Sequence, residues 1–398
     1  MSLAGILTQT GDKIGSRVGK AIACGGVGGM SLEKGRLSSR QLVVLALYVF
    51  IGDMALIYPL TMITDSHQDA WIASLISLPL GLAGILIPLK VFYFYPELNL
   101  IEKINKILGK WAGTAVSLFY LFFFLMATSI YIREIEDFMC TQIFEGTPGA
   151  VFRCMTLILV VYGLRQGLET LSRAAEIFLP LFILFLVSLM ILLLPQVRLE
   201  NLFPIMNTPA PKLLHSVLFG VSYPFGEMIV FQMVHPYVKL NKHTNRDIVF
   251  ILIIGATVLN LILFLSITVL GAYLPEHQFY AAYILAQKIN IGNFLQRIEA
   301  LMAIVWVITT FFKTALYFYA FTLGSAQLFN LKSFRSLIFP VGFLVFGLSQ
   351  LVSKDITFYM KKIPSTWVDW DFTVCFAIPL LLMIVYYVRK SKIRLNSG

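Results

Sequence analysis

Gly220-Val221-Ser222-Tyr223-Pro224-Phe225-Gly226-Glu227 interrupts an otherwise apolar run over residues 213–234. Proline removes a backbone donor and clashes with the preceding turn, and each glycine loosens a helix further. Hydrocarbon offers no partners to freed backbone groups, so protein, water or ligand must supply them. A carboxylate at that depth adds about 2.5 to 3.5 kcal/mol on insertion scales. The octapeptide therefore reads as the break in a membrane helix, with its backbone turned to a small polar ligand.

Composition sets the class around this break. Of 398 residues, 58% are hydrophobic and only 13% charged, about half the charged fraction of a soluble domain. The chain is all-α and polytopic. Its net charge of +10 would suggest nucleic acid in a soluble protein; here cytoplasmic lysines and arginines that orient the helices account for it. Cys24, Cys140, Cys154 and Cys375 are scattered and form no zinc-type cluster. Cys140 and Cys154 flank one expected outer loop, but spacing alone does not bring them together.

Ten hydrophobic spans follow from residue 41 onward, at 41–64, 70–94, 111–133, 150–166, 170–194, 213–236, 247–274, 298–326, 335–353 and 371–389. The third is expected to run past Arg133. With the N-terminus inside, the inner segments carry eighteen lysines and arginines beyond residue 30 and the outer segments nine. That excess places both termini in the cytoplasm. Residues 1–33 form a glycine-rich flexible tail without a signal-sequence core, and 391–398 a second tail. The proline-rich stretch 196–212 is an outer linker that divides the bundle into five-span units, 34–195 and 213–390. Two amphipathic pieces stand apart from the spans. Residues 99–109 read as an interfacial cytoplasmic helix, and 280–289 as a segment lying across the outer face, with ordinary packing the alternative for both.

Five spans per unit give the units opposite orientation, and their first spans are both interrupted. Span one is broken at Gly52-Asp53 and ends near Pro59; span six is broken by the octapeptide. Matched interruptions in two inverted repeats point to a central binding site. Gly52, Asp53, Met54, Ser222, Tyr223, Phe225, Gly226 and Glu227 are the candidate ligand contacts. Helix-start amides near Met54 and Gly226 suit a carboxylate, while released carbonyls and Glu227 suit an ammonium. Tyr223 and Phe225 can form an apolar wall or gate, or simply pack. Asp53, Glu227 and Lys313 each lie about 20 Å along a helix from their span ends, near mid-membrane. Such groups mark ligand sites or ion pathways, or a structural ion-pair network that fixes helix packing.

Four motifs, in order, carry a family likeness. They are Lys34-Gly35-Arg36-Leu37-Ser38-Ser39-Arg40-Gln41, then Gly167-Leu168-Glu169-Thr170-Leu171-Ser172-Arg173-Ala174-Ala175-Glu176, then Pro224-Phe225-Gly226-Glu227. The fourth runs from Phe311-Phe312-Lys313 through Tyr319-Ala320 to Ala326-Gln327-Leu328-Phe329. Over residues 34–394 the sequence resembles the B subunit of bacterial endospore germinant receptors, in the spore-germination permease family of the amino acid–polyamine–organocation superfamily. The resemblance implies a leucine-transporter-like fold and a nutrient sensor in the spore inner membrane. It also implies a small germinant such as an amino acid, an A-type membrane subunit and a C-type lipoprotein. Asp53 departs from the small neutral residue expected after Gly52, and would repel a substrate carboxylate. In such a fold spans one and eight commonly flank a sodium site, so Lys313 is expected either to replace sodium there, pairing with Asp53 or with carbonyls freed at the break, or to snorkel into an aqueous vestibule and serve packing alone.

Receptor subunit, proton-coupled amino-acid permease and ligand-gated ion pathway all use such a break and stay open on sequence. No nucleophile elbow, P-loop or metal-ligand pattern is present and the histidines are dispersed. The sequence is therefore read as non-enzymatic, with no metal and no cofactor.

Overall fold

The computed structural model describes residues 35–273, 279–289 and 298–395. The expected tail at 1–33, the parts of the outer segment on either side of 280–289 and the end of the C-terminal tail lie outside these residues. Helix α1 (Ser39–Ile51) starts behind a capping box in which Ser38 Oγ accepts the Gln41 N–H and Gln41 Oε1 accepts the Ser38 N–H. It stops at Gly52, and α2 (Met54–Ser66) resumes after Asp53. A turn at His67–Asp69 leads into α3 (Ala70–Gly84) and α4 (Leu86–Phe92), and α2 packs against α3 across that turn. Together these occupy Ser39–Phe92, 54 residues. As one straight helix they would extend about 80 Å, against a hydrocarbon core of about 30 Å.

Next come α5 (Leu100–Leu108), α6 (Lys110–Phe138), α7 (Gly149–Gln166) and α8 (Leu168–Leu193). Helix α6 continues as wider π-type turns to Ile143, so the third span does run past Arg133. Helix α9 (Ala210–Val221) gives way to π-type turns over Ser222–Gly226 and tight 3-10 turns over Glu227–Val230 before α10 (Phe231–Val234). Helices α11 (Thr244–Leu270), α12 (Ala281–Gln287), α13 (Glu299–Leu328), α14 (Ile338–Leu351), α15 (Ile356–Asp371) and α16 (Ile378–Leu395) complete the chain. Among the described residues, nine helical segments are long and apolar enough to cross a membrane, Ser39–Phe92 counting as one. The protein is an all-α, multi-pass membrane protein.

Burial divides these segments into centre and periphery. The most apolar 18-residue window is 94% buried in Ala210–Tyr237 and 72% in α13, but 22% in α7 and in Leu168–Gln196. Ile158, Ile177, Leu184 and Phe343 are among the large apolar side chains left on the outer surface. The second interrupted segment thus sits where neighbouring helices, α13 among them, can satisfy its backbone, while α7 and α8 face outward. This is the arrangement that hydrocarbon imposes.

Three tethers hold the centre. Leu37–Ser38 (β1) pairs in parallel with Val238–Lys239 (β2), which places the start of α1 beside the end of the second interrupted segment. Ser39 Oγ reinforces the pairing by donating to Lys239 O at 2.8 Å. The linker 196–212 is pinned to the α2–α3 turn, because Asp69 accepts the backbone N–H groups of Met206 and Thr208, each at 2.8 Å. Helix α5 is the third. Its apolar face, including Ile101, Ile104 and Ile107, is buried against α6 and not presented to lipid, so the packing alternative describes it better. Lys103, expected in an interfacial setting, is fully buried: its Nζ donates to Phe92 O at 2.9 Å and to Gln232 Oε1 at 3.4 Å. Burial pushes its ammonium down to about 7, against the opposing pull of Glu97 and Glu102. Cys140, Cys154 and Cys375 are free thiols.

Candidate functional site

Helix α13 joins the two breaks. Trp306, Thr309, Lys313 and Tyr317 recur at steps of three and four residues and so share one helix face. Trp306 Nε1 donates to Asp53 O at 3.1 Å and Thr309 Oγ1 donates to Gly52 O at 2.9 Å. Tyr317 donates its hydroxyl to Glu227 O at 2.9 Å. The carbonyls expected to be free for ligand are therefore taken up by side chains of α13. Gln232 Nε2, one turn beyond the second break, likewise caps Pro88 O at 2.6 Å.

Lys313 occupies the middle of that face. Its Nζ makes ion pairs with both Asp53 Oδ1 and Glu227 Oε2, and all three side chains are completely buried. Tyr131 of α6 closes the remaining side: its hydroxyl donates to Glu227 Oε1 at 2.8 Å, and its ring centroid lies 4.7 Å from Nζ. Two carboxylate acceptors and an aromatic face thus surround the Lys313 ammonium. Gly52 makes the approach possible. Its φ of +25° is one that residues with a Cβ seldom adopt, and a Cβ there would lie 2.5 Å from Lys313 Cδ.

Of the candidate contacts, Gly52, Asp53 and Glu227 converge on Lys313. Met54 is buried at the start of α2, and Ser222 Oγ turns back to donate to Phe219 O at 3.3 Å. Tyr223 packs on Phe219 with ring centroids 4.7 Å apart. Phe225 lies edge-on to Phe50 at 5.0 Å and against Gly81, where a Cβ would collide with its ring. Gly226 faces Cys375 and Phe376, with a Cβ there 3.2 Å from Cys375 Cβ. Tight packing between helices is one reason for a glycine at this position.

Sequence reading missed two buried carboxylates. Glu134 lies just past the expected end of the third span, where its Oε1 accepts the Tyr359 hydroxyl. Asp371, the last residue of α15, was placed at the edge of the tenth span but is fully buried. Both lie within electrostatic reach of Asp53, Glu227 and Lys313. The legible signal was an acidic residue at each end of an apolar run; its depth was not legible. Glu136 and Asp137, one turn along α6, are matched by Arg153 at 2.9 Å and Arg133 at 3.0 Å.

Comparisons with known proteins agree with this architecture. The family model for spore germination protein matches residues 36–355. Spore germination protein KB of Bacillus subtilis (strain 168) is 26% identical over 373 residues, covering 92% of this chain and 99% of that protein. Spore germination protein GerLB of Bacillus cereus is 24% identical over 362 residues, covering 89% of this chain and 95% of that protein. Among solved structures, MhsT in complex with L-phenylalanine superposes with a TM-score of 0.65 at 12% identity, covering 89% of this chain and 99% of that one. Mhp1, a nucleobase-cation-symport-1 family transporter, gives 0.64 at 13% identity, covering 88% and 79%. The fold is that of these leucine-transporter-type structures, and the sequence similarity is to spore germination proteins.

Proposed function

The chain belongs to the spore germination protein family, and from that premise we propose that it is the membrane subunit of a spore nutrient-germinant receptor. It binds a small germinant, an amino acid in the simplest case, at the facing breaks of its first and sixth membrane crossings, and binding triggers germination. In this reading Ser39–Phe92 crosses twice, giving ten crossings in two inverted five-helix repeats, 34–195 and 213–390, joined by the outer linker. Both termini are cytoplasmic and the membrane is the spore inner membrane. An A-type membrane subunit and a C-type lipoprotein complete the receptor.

One observation carries the reading. Two backbone interruptions, 170 residues apart in sequence, are drawn together by a single ammonium that contacts a carboxylate from each. A ligand that competes for Asp53, Glu227 or the α13 face alters how the two breaks are held, and so can shift the packing of both repeats. The solved neighbour carrying L-phenylalanine favours an amino acid as ligand. Lys313 stands where a bound sodium would otherwise neutralise the broken helices, so binding requires no sodium.

The same likeness to transporters favours a second reading, a proton-coupled amino-acid permease. Purified protein in sealed vesicles separates the two. Binding of labelled amino acids without uptake supports the receptor, whereas uptake driven by a proton gradient supports the permease. Ion flux that begins only on adding amino acid would indicate a ligand-gated ion pathway. Absence of binding by any amino acid would refute the proposal.

A further inference from the structure

Carboxylates at the centre outnumber the cation that answers them. Asp53, Glu134, Glu227 and Asp371 are each at most 3% exposed, and Lys313 is shared between Asp53 and Glu227. Arg133 and Arg153 are engaged by Asp137 and Glu136, and Lys103 by Phe92 O and Gln232. Glu134 retains the Tyr359 hydroxyl. Asp371 retains nothing: neither of its carboxyl oxygens has a hydrogen-bond partner in the protein.

The position of Asp371 makes this informative. It closes α15 and opens the π-type turns Phe372–Ala377, which pack on the interrupted stretch Ser222–Gly226. Tyr223 and Tyr317 lie within its electrostatic reach, as do Glu227 and Lys313. A buried carboxylate without donors is costly, and native interiors rarely leave one unexplained. A primary ammonium offers three N–H donors, and neighbouring aromatic rings add a favourable face for it.

We propose that Asp371 is the ammonium-binding residue of the central site, and that the ligand class is a cationic amine that needs no carboxylate. The inference rests on the reading that this site takes a small germinant and narrows its chemistry. Lys313 is shared by Asp53 and Glu227, and Glu134 keeps the Tyr359 hydroxyl, so Asp371 is the one of the four carboxylates with no partner. A zwitterion brings a second anion into a region already rich in them. An amide or diamine brings only the cation.

The test is equilibrium binding to the full-length purified chain in nanodiscs. The probes are the twenty L-amino acids, their amides, their N-acetyl derivatives, and the diamines putrescine and cadaverine. At least one amide or diamine is expected to bind tenfold or more tightly than its zwitterionic or N-acetylated counterpart. Asp371→Asn is expected to weaken that binding at least tenfold, while the ligand-free variant unfolds at the same or a higher temperature than wild type. An N-acetyl derivative or zwitterion binding as tightly as its amide, or affinity within twofold in Asp371→Asn, overturns the proposal and leaves the germinant reading standing. The wild-type comparison decides the matter even if the variant does not fold. If no probe binds, both readings fall.

Discussion

Replacing Lys313 by Met tests whether the two breaks are held by charge. At an effective dielectric of about 20 and a contact distance of about 3 Å, each carboxylate–ammonium pair contributes roughly 5 kcal/mol of attraction before desolvation. Removing one partner of a buried pair typically costs about 3–5 kcal/mol, chiefly because the other charge stays buried alone. Lys313→Met strands two such charges, although Tyr131 still donates to Glu227. The expected loss is therefore at the upper end of that range, about 5 kcal/mol. Adding Asp53→Asn removes one stranded charge and should restore about 2 kcal/mol; adding Glu227→Gln as well should return the protein to within about 2 kcal/mol of wild type. Unfolding in a fixed detergent, followed across the single, double and triple variants, supplies the cycle. Strict additivity, with every further substitution lowering stability again, would refute the ion-pair account.

Other outcomes follow from the same packing. Gly52→Ala should destabilise by about 2–3 kcal/mol, combining an unfavourable positive φ with overlap on Lys313 Cδ; an unfolding midpoint equal to wild type would contradict it. Lys103 gives stability a pH dependence. Below about pH 7 folded and unfolded chains both carry its proton and no slope arises. From there to about 10.5 the unfolded chain binds more protons, so stability rises with pH. The rise over that window is at most on the order of 5 kcal/mol, and Lys103→Met should flatten it; an unchanged slope in that variant assigns the effect elsewhere. Replacing sodium by potassium should leave amino-acid affinity within twofold, measured by direct binding; a sodium requirement would remove Lys313 from its proposed role.

Composition and pattern alone determined the membrane class, the apolar spans and the two interruptions. Each is a local property: a run of apolar residues long enough to cross hydrocarbon, or a glycine, proline and carboxylate that a lipid-facing helix does not tolerate. The family likeness was legible for the same reason, since its motifs are short and contiguous. Tertiary structure decided which groups meet. Gly226 and Phe225 resemble ligand contacts in sequence, yet one packs on Cys375 and the other on Phe50 and Gly81. The α13 residues that absorb the freed carbonyls, Trp306, Thr309 and Tyr317, carry no mark beyond helical spacing around Lys313. Asp371 shows the limit most clearly. Whether a carboxylate at the edge of an apolar run reaches water or is fully buried depends on how the end of α15 meets the second break, and no local pattern encodes that contact between distant segments.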